Sequence, residues 1–371
     1  QSPAAEIAMT ATQVLTGLNS NFILIAVPLF VFMAQVMNSG KITEMIFKFA
    51  NAMVGNRKGG LGHVNVVASI IFSGMTGSAL ADASGLGLME IKAMREHGYD
   101  DGFSCAITAA SATIGPIFPP SIPMIFYAML SGASIGALFM GGMIPGLMVG
   151  FALMIYIAFI ANKRNYPRGV KIAFRDAITL TFTAFPALFS VIVLLGGIYT
   201  GIVTPTEAGA LAALYAILIS IIIYRALGWR ELAKIILDTV KTTGILSLLV
   251  GSAFAFSYIV AIEHIPDAVA NLLLTVTTNK YVLLLLINIM FLVLGMFIDT
   301  MAITLVFIPI VLPLVEALGI NLVHFGVVIT LNMMIGLSTP PFGMLLFVVS
   351  GISGTPLKTV IKEIFPMLLV L

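Results

Sequence analysis

"IGPIFPPS" at residues 114–121 and "IGLSTPPF" at 335–342 are two copies of one pattern, a glycine followed by paired prolines, inside stretches otherwise apolar enough to cross a bilayer. Paired prolines remove two amide donors and clash with the preceding turn, and glycine loosens the backbone, so each copy opens its helix and leaves carbonyl oxygens unpaired. In lipid, opened backbone is tolerated only where it is buried in protein or lines a wet cavity. Two helices broken in the same way therefore point to one shared site.

Composition makes lipid the main solvent. Of 371 residues, 60% are hydrophobic and 9% charged, which places the chain with polytopic membrane proteins and outside any soluble class. At about 20 residues per crossing it allows roughly ten membrane segments. A formal net charge of +2 gives no reason to expect a nucleic-acid partner. The single cysteine, Cys105, has no intramolecular disulfide partner and reads as a small buried hydrophobe. No targeting tract is visible, and the final apolar run "FPMLLVL" leads to the expectation that the sequence is cut at both ends.

Residues 2–18 read as a short amphipathic helix with Pro3 near its start and Ile7, Ala11, Val14, Leu15 and Leu18 on one face. A span at 20–38 and a second amphipathic stretch at 41–55 follow. Residues 60–97 are unusual, 103–130 hold the first broken helix, and 134–161 read as a plain span. The polar loop 162–175 divides the chain. Beyond it come spans at 178–199 and 206–224, an amphipathic segment at 229–241, a span at 243–263, a short helix at 266–278, a second unusual region at 281–318 and the second broken span at 323–352. An offset of about 222 residues pairs these elements in order, and "GFSCAIT" (102–108) with "HFGVVIT" (324–330). The first-half partners of 178–224 would fall before residue 1, a stretch of about 45 residues. If the central loop is cytoplasmic, all 18 Lys and Arg except Lys280 lie on that side, and the halves have opposite orientation.

Arg57 and Lys58 precede residues 60–97, and Lys92 and Arg95 stand near their end, yet only about a dozen residues separate Gly60 from "SGMTGSALADASG" (73–85). That is about 18 Å of helix, half a membrane, and it predicts a re-entrant hairpin. Its tip puts Ser73, Thr76, Ser78, Asp82 and Ser84 at membrane depth. A second hairpin, 281–318, turns at "GMFIDT" (295–300) and brings Asp299 to a similar depth, although the two aspartates do not align strictly. Ionisable residues at that depth are costly and point to function, here ion coordination. Glu207 in "TPTEAG" is expected to cap a helix or contact a partner. Glu263, His264 and Asp267 read as interfacial, and His63, His97 and His324 lack metal-ligand spacing.

Four segments then identify a likeness. "NRKGGLGHVNVVASIIFSGMTGSALADASGLG" (56–87), "GPIFPPSIPM" (115–124), "GGIYTGIVTPTEAGA" (196–210) and "GLSTPPFGMLLFV" (336–348) resemble the large membrane subunit of tripartite ATP-independent periplasmic (TRAP) transporters, the dicarboxylate and sialic acid permeases. The resemblance implies an all-α polytopic fold of the bacterial inner membrane: an inverted repeat with two re-entrant hairpins and two broken helices, working as an elevator. It implies scaffold and arm helices at 1–59, transport-domain halves at 60–130 and 281–352, scaffold helices with the central loop and second arm at 131–280, and the start of a last scaffold helix at 353–371. Two sodium sites would follow, one from Thr76, Ser78, Asp82 and Gly115, the other from Asp299, Thr300, Gly336 and Thr339. Ser121, Pro119, Pro120, Pro340 and Pro341 would face a small organic acid. Ile117 and Phe118 stand where the second copy has Ser338 and Thr339, so the first site relies more on backbone and hairpin groups. The implied partners are a small membrane subunit, a periplasmic substrate-binding protein and the bilayer.

The alternatives are a stand-alone sodium–carboxylate symporter of similar architecture, a passive channel and an intramembrane hydrolase. Hairpins meeting at the midplane would block a pore. A hydrolase is disfavoured because no His or Lys base is spaced to activate a serine within the first hairpin, and one catalytic site needs no inverted duplicate.

Overall fold

The computed structural model describes residues 3–20, 22–38, 40–169, 173–277 and 279–371; the side chain of Ile7 and residues 170–172 of the central loop lie outside it. Helices account for nearly all of it. The first half runs α1 (Pro3–Ser20), α2 (Ala26–Met37), α3 (Gly40–Val54), α4 (Gly60–Thr76), α5 (Ala79–Gly85), α6 (Gly87–Glu96), α7 (Asp101–Ala112), α8 (Ile122–Ser131) and α9 (Ile135–Lys163). The second runs α10 (Phe174–Tyr199), α11 (Pro205–Leu218), α12 (Trp229–Ile262), α13 (Ile265–Val276), α14 (Lys280–Phe297), α15 (Thr300–Ala317), α16 (Leu322–Leu337), α17 (Met344–Ser353) and α18 (Leu357–Leu368). Among the described residues, six helices are long and apolar enough to cross a membrane.

The amphipathic segment 229–241 and the span 243–263 do not separate as the periodicity predicts: they form one 34-residue helix, α12. Nothing between Trp229 and Ile262 is a proline, so the helix continues where the pattern changes face. Glu207 takes the capping role. Its Oε2 accepts from Thr204 N (2.7 Å) and Thr204 Oγ1 (2.8 Å), while its own amide donates to Thr204 Oγ1 (3.3 Å), closing a capping box at the start of α11.

Contacts at the hairpin ends fix the topology. At the start of hairpin 1, Lys58 Nζ donates to Asn165 Oδ1 (3.1 Å), Gly59 N donates to Pro167 O (3.1 Å) and Lys58 bridges Arg168 through the backbone. Just beyond its end, Asp100 accepts from Arg164 (3.0 Å) and Tyr166 (2.6 Å) of the same loop. Burial, with the Asp100 carboxylate that it donates to, raises the Tyr166 phenol above its ordinary range. Both ends of hairpin 1 therefore meet the central loop on one face.

The broken helices run in opposite directions. Cys105, early in α7, lies 3.2 Å from the hydroxyls of Ser353, the last residue of α17, and Thr355 just beyond it, whereas Tyr127 of α8 donates to Leu322 O (2.7 Å) at the start of α16. Each hairpin's first arm runs parallel to the leading half of its own broken helix: Asn65 of α4 meets Thr108 of α7, and Asn288 of α14 meets Asn332 of α16. This is an inverted repeat in three dimensions.

With Cys105 replaced by Ser, single cysteines at Lys58 and Lys92 should react with a membrane-impermeant thiol reagent from the same face only. Labelling of the two positions from opposite faces would mean that hairpin 1 crosses the bilayer completely.

Candidate ion and substrate site

Each hairpin tip docks on one break. At the first, Ile122 N donates to Gly77 O (3.4 Å), and Gly77 sits at φ +62° where a Cβ would come within 2.6 Å of Pro120 O. Only glycine meets both demands. At the second, Gly343 N donates to Met296 O (3.0 Å), and Gly295 and Gly336 pack backbone to backbone, a Cβ on Gly336 falling 2.8 Å from Gly295 Cα. The prolines stand at matching places, with cis bonds at Pro119–Pro120 and Pro340–Pro341.

The tips then meet each other. A small cavity of about 30 Å³ is lined by Gly77 and Ser78 of the first tip, by Asp299 and Thr300 of the second, and by Pro116 and Pro123 around the first break. Ser78 and Asp299 are equivalent residues here. Each caps the returning arm of its hairpin, Ser78 Oγ accepting from Ala81 N (3.4 Å) and Asp299 Oδ1 from Met301 N (2.9 Å). Asp82 lies one turn further on, where the same register gives the second hairpin the buried Ile303, next to Thr304, whose hydroxyl donates to Thr300 O (2.8 Å).

The residues of the first expected ion set lie on the first hairpin tip, against it, or one turn past it. The position a Cβ would take on Gly115 is 3.4 Å from Ala79 N, Thr76 is buried beneath the tip, and Asp82 is 2% exposed with no hydrogen bond to either carboxylate oxygen. Of the second set, Asp299 and Thr300 line the shared cavity, Gly336 packs on Gly295, and Thr339 turns inward on its own helix end, its N donating to Gly336 O (2.8 Å) and its hydroxyl to Ile335 O (2.6 Å). Oxygen donors of this kind suit a hard cation. No cluster of three His, Cys, Asp or Glu side chains occurs among the described residues.

Of the residues expected to face substrate, Ser121 is buried and its hydroxyl accepts from Met124 N (3.3 Å), capping α8. Pro119 and Pro120 are buried beside it, Pro340 is half-buried and Pro341 exposed. A larger hollow of about 230 Å³ opens on the other side of the first tip, between Thr76 and Ser78 and the residues Gln35, Asn38 and Thr242 of α2 and α12. Gln35 and Asn38 also line a hollow of about 550 Å³ with Glu231, Lys234 and Asp238. The sequence reading missed Gln35, Asn38 and Thr242. Single polar residues on spans carry no motif, and their only signal was membrane depth.

Paired broken helices, paired hairpins and a polar junction at their tips define a membrane transporter of inverted-repeat type. Comparison with known proteins agrees: the family described as "Tripartite ATP-independent periplasmic transporter, DctM component" matches residues 2–371, and the chain belongs to it. It is thus a large permease subunit, an inner-membrane protein and no enzyme. The chain is 46% identical to the sialic acid TRAP transporter large permease protein SiaM of Vibrio cholerae, over 96% of this chain and 84% of that one. To the sialic acid TRAP transporter permease protein SiaT of Haemophilus influenzae it is 42% identical, over 97% of this chain and 58% of that longer one. The C4-dicarboxylate large permease DctM of Pseudomonas aeruginosa is 34% identical over 95% and 83%. Among solved structures, the Alcanivorax borkumensis YdaH transporter shares the fold at a TM-score of 0.70 and 13% identity, over 98% of this chain and 85% of that one.

Gly77→Ala should lower the unfolding temperature of the purified protein by more than Gly132→Ala. Both sit at positive φ, a cost of about 1–2 kcal/mol for alanine, but Gly132 has nothing within 4 Å of its Cβ position. The tip contact adds about 1–3 kcal/mol of overpacking. Equal losses would show that the tip is not held tightly against the break.

Proposed function

We propose that this chain is the translocating subunit of a sodium-coupled importer of a small organic acid, of the sialic acid or C4-dicarboxylate kind. A periplasmic binding protein delivers the substrate and a small membrane subunit completes the assembly. The observation that carries this reading is the junction of both hairpin tips at one cavity, with Ser78 on one wall and Asp299 on the other, and the unpartnered carboxylate of Asp82 one turn away. Sodium would bind hydroxyl, carbonyl and carboxylate oxygens there, and each bound ion lowers the cost of bringing an anionic substrate to membrane depth. The substrate would occupy the hollow between the first tip and α2 and α12, whose Gln35 and Asn38 also line the outer hollow on the side of Lys234.

Movement in this reading is that of an elevator. The moving unit would include α9 and α18 besides the hairpins and broken helices. α9 packs on α4, α7, α8 and α16, with a Cβ on its Gly142 falling 2.3 Å from Ile117 O, and α18 packs on α7 and α17. That extends the unit beyond residues 60–130 and 281–352. α1, α2, α10, α11 and α12 pack chiefly on one another or on α3 and would stay.

Uptake into proteoliposomes holding both membrane subunits tests the reading. It should need an inward sodium gradient and loaded binding protein, and Asp82→Ala or Asp299→Ala should each cut it by at least about tenfold, as expected when a buried ion ligand is lost. Normal uptake with unchanged sodium dependence in both variants would remove them from the ion sites. Uptake without binding protein would favour a stand-alone symporter.

A further inference from the structure

Hairpin 1 buries a second acid. Glu90 on α6 is 1% exposed and Asp82 on α5 is 2% exposed. Neither oxygen of Asp82 accepts a hydrogen bond, nor does Oε1 of Glu90. Glu90 Oε2 accepts from Asn65 Nδ2 at 2.8 Å. Asn65 is held on every side: Nδ2 also reaches Thr108 Oγ1 (2.7 Å), and Oδ1 accepts from Ser111 Oγ (2.7 Å). Ser111 in turn accepts from Ser69 Oγ (3.1 Å), the hydroxyl that stands beside Asp82. A run of buried, hydrogen-bonded side chains on α4, α6 and α7 thus extends from Glu90 through Asn65 and Ser111 to Ser69, beside Asp82.

Among the described residues no cation pairs with either acid. On the helices packed around Glu90, His63 of α4 has Arg57 as its charged neighbour, Asp101 of α7 pairs with Arg95 (2.8 Å), Cys105 bonds to Ser353 and Thr355, and α17 carries no titratable group. Lys92 and Glu96 on α6 itself are exposed. Two like charges desolvated together repel strongly at low dielectric, and one added cation removes most of that cost.

We propose that Glu90 supplies negative charge behind the ion site at Asp82, raising its affinity for sodium without ligating the ion. The inference rests on the sodium-coupled reading above and adds to it a residue that sets ion affinity. Charge and hydrogen bonding are separable here, because Glu90→Gln keeps the shape and an acceptor for Asn65 but removes the charge, whereas Asn65→Ala breaks the hydrogen-bonded run and keeps the charge.

Thermal unfolding of the purified protein, titrated with sodium against potassium at constant ionic strength, decides between them. Glu90→Gln should raise the half-saturating sodium concentration on the order of tenfold, the size of an ordinary coupling between neighbouring sites. It should raise the half-saturating sodium for uptake alongside, with the maximal rate largely kept. Asn65→Ala should shift it less. Unchanged half-saturation in Glu90→Gln, or a larger shift in Asn65→Ala, would make Glu90 a structural acceptor and overturn the proposal. If sodium does not stabilise even the unaltered protein over potassium, the sodium-coupled reading itself fails, a result distinct from either.

Discussion

Backbone polar groups taken out of water must find partners, and in a bilayer that requirement leaves few places for a chain to be anything but helical. This protein departs from helix at four points inside its apolar stretches: two hairpin tips and two proline breaks. Each tip accepts a hydrogen bond from its own break, Ile122 N donating to Gly77 O in one half and Gly343 N to Met296 O in the other. The irregular segments thereby satisfy part of one another's demand. What is left over, oxygen-rich and facing a shared cavity, is where a cation can be held.

The two halves solve this alike in backbone and differently in side chains. Both use a glycine at the close approach, Gly77 in the first and Gly295 against Gly336 in the second. Both tie the hairpin's rising arm to the broken helix through asparagine, at Asn65 and at Asn288 with Asn332. The acids, however, are placed apart: Asp299 caps its returning helix at the tip, while Asp82 stands one turn deeper, opposite Ile303 in the repeat. The first half therefore carries its negative charge inside the hairpin body, where Glu90 also lies, and the second carries it at the mouth.

Much of the site was legible in residue order alone. Duplicated prolines signalled the breaks, membrane-depth acids signalled Asp82 and Asp299, and a basic loop signalled which ends share a face. Glu90 escaped notice because it sits in "GLMEIKAMRE" beside lysine and arginine, where a carboxylate reads as an exposed partner on a helix face. Its burial depends on α7 covering that face. At Ser121 the sequence showed a hydroxyl beside the prolines but not that it also caps α8.

The sequence by itself determined the lipid-solvated class, the two breaks and the inverted order, because proline geometry, apolar length and the side chosen by cations are local or additive properties. Only the tertiary structure decided that the two tips share one cavity, that α9 and α18 pack on the hairpins and broken helices, and that Asp82 and Glu90 are both buried with no ion pair to either among the described residues. Those facts depend on contacts between segments up to hundreds of residues apart, such as Arg95 with Ser353 O (2.8 Å) and Arg164 with Glu363 (2.8 Å). Periodicity fixes which face of a helix is apolar; which neighbour covers that face is set by packing of the whole chain.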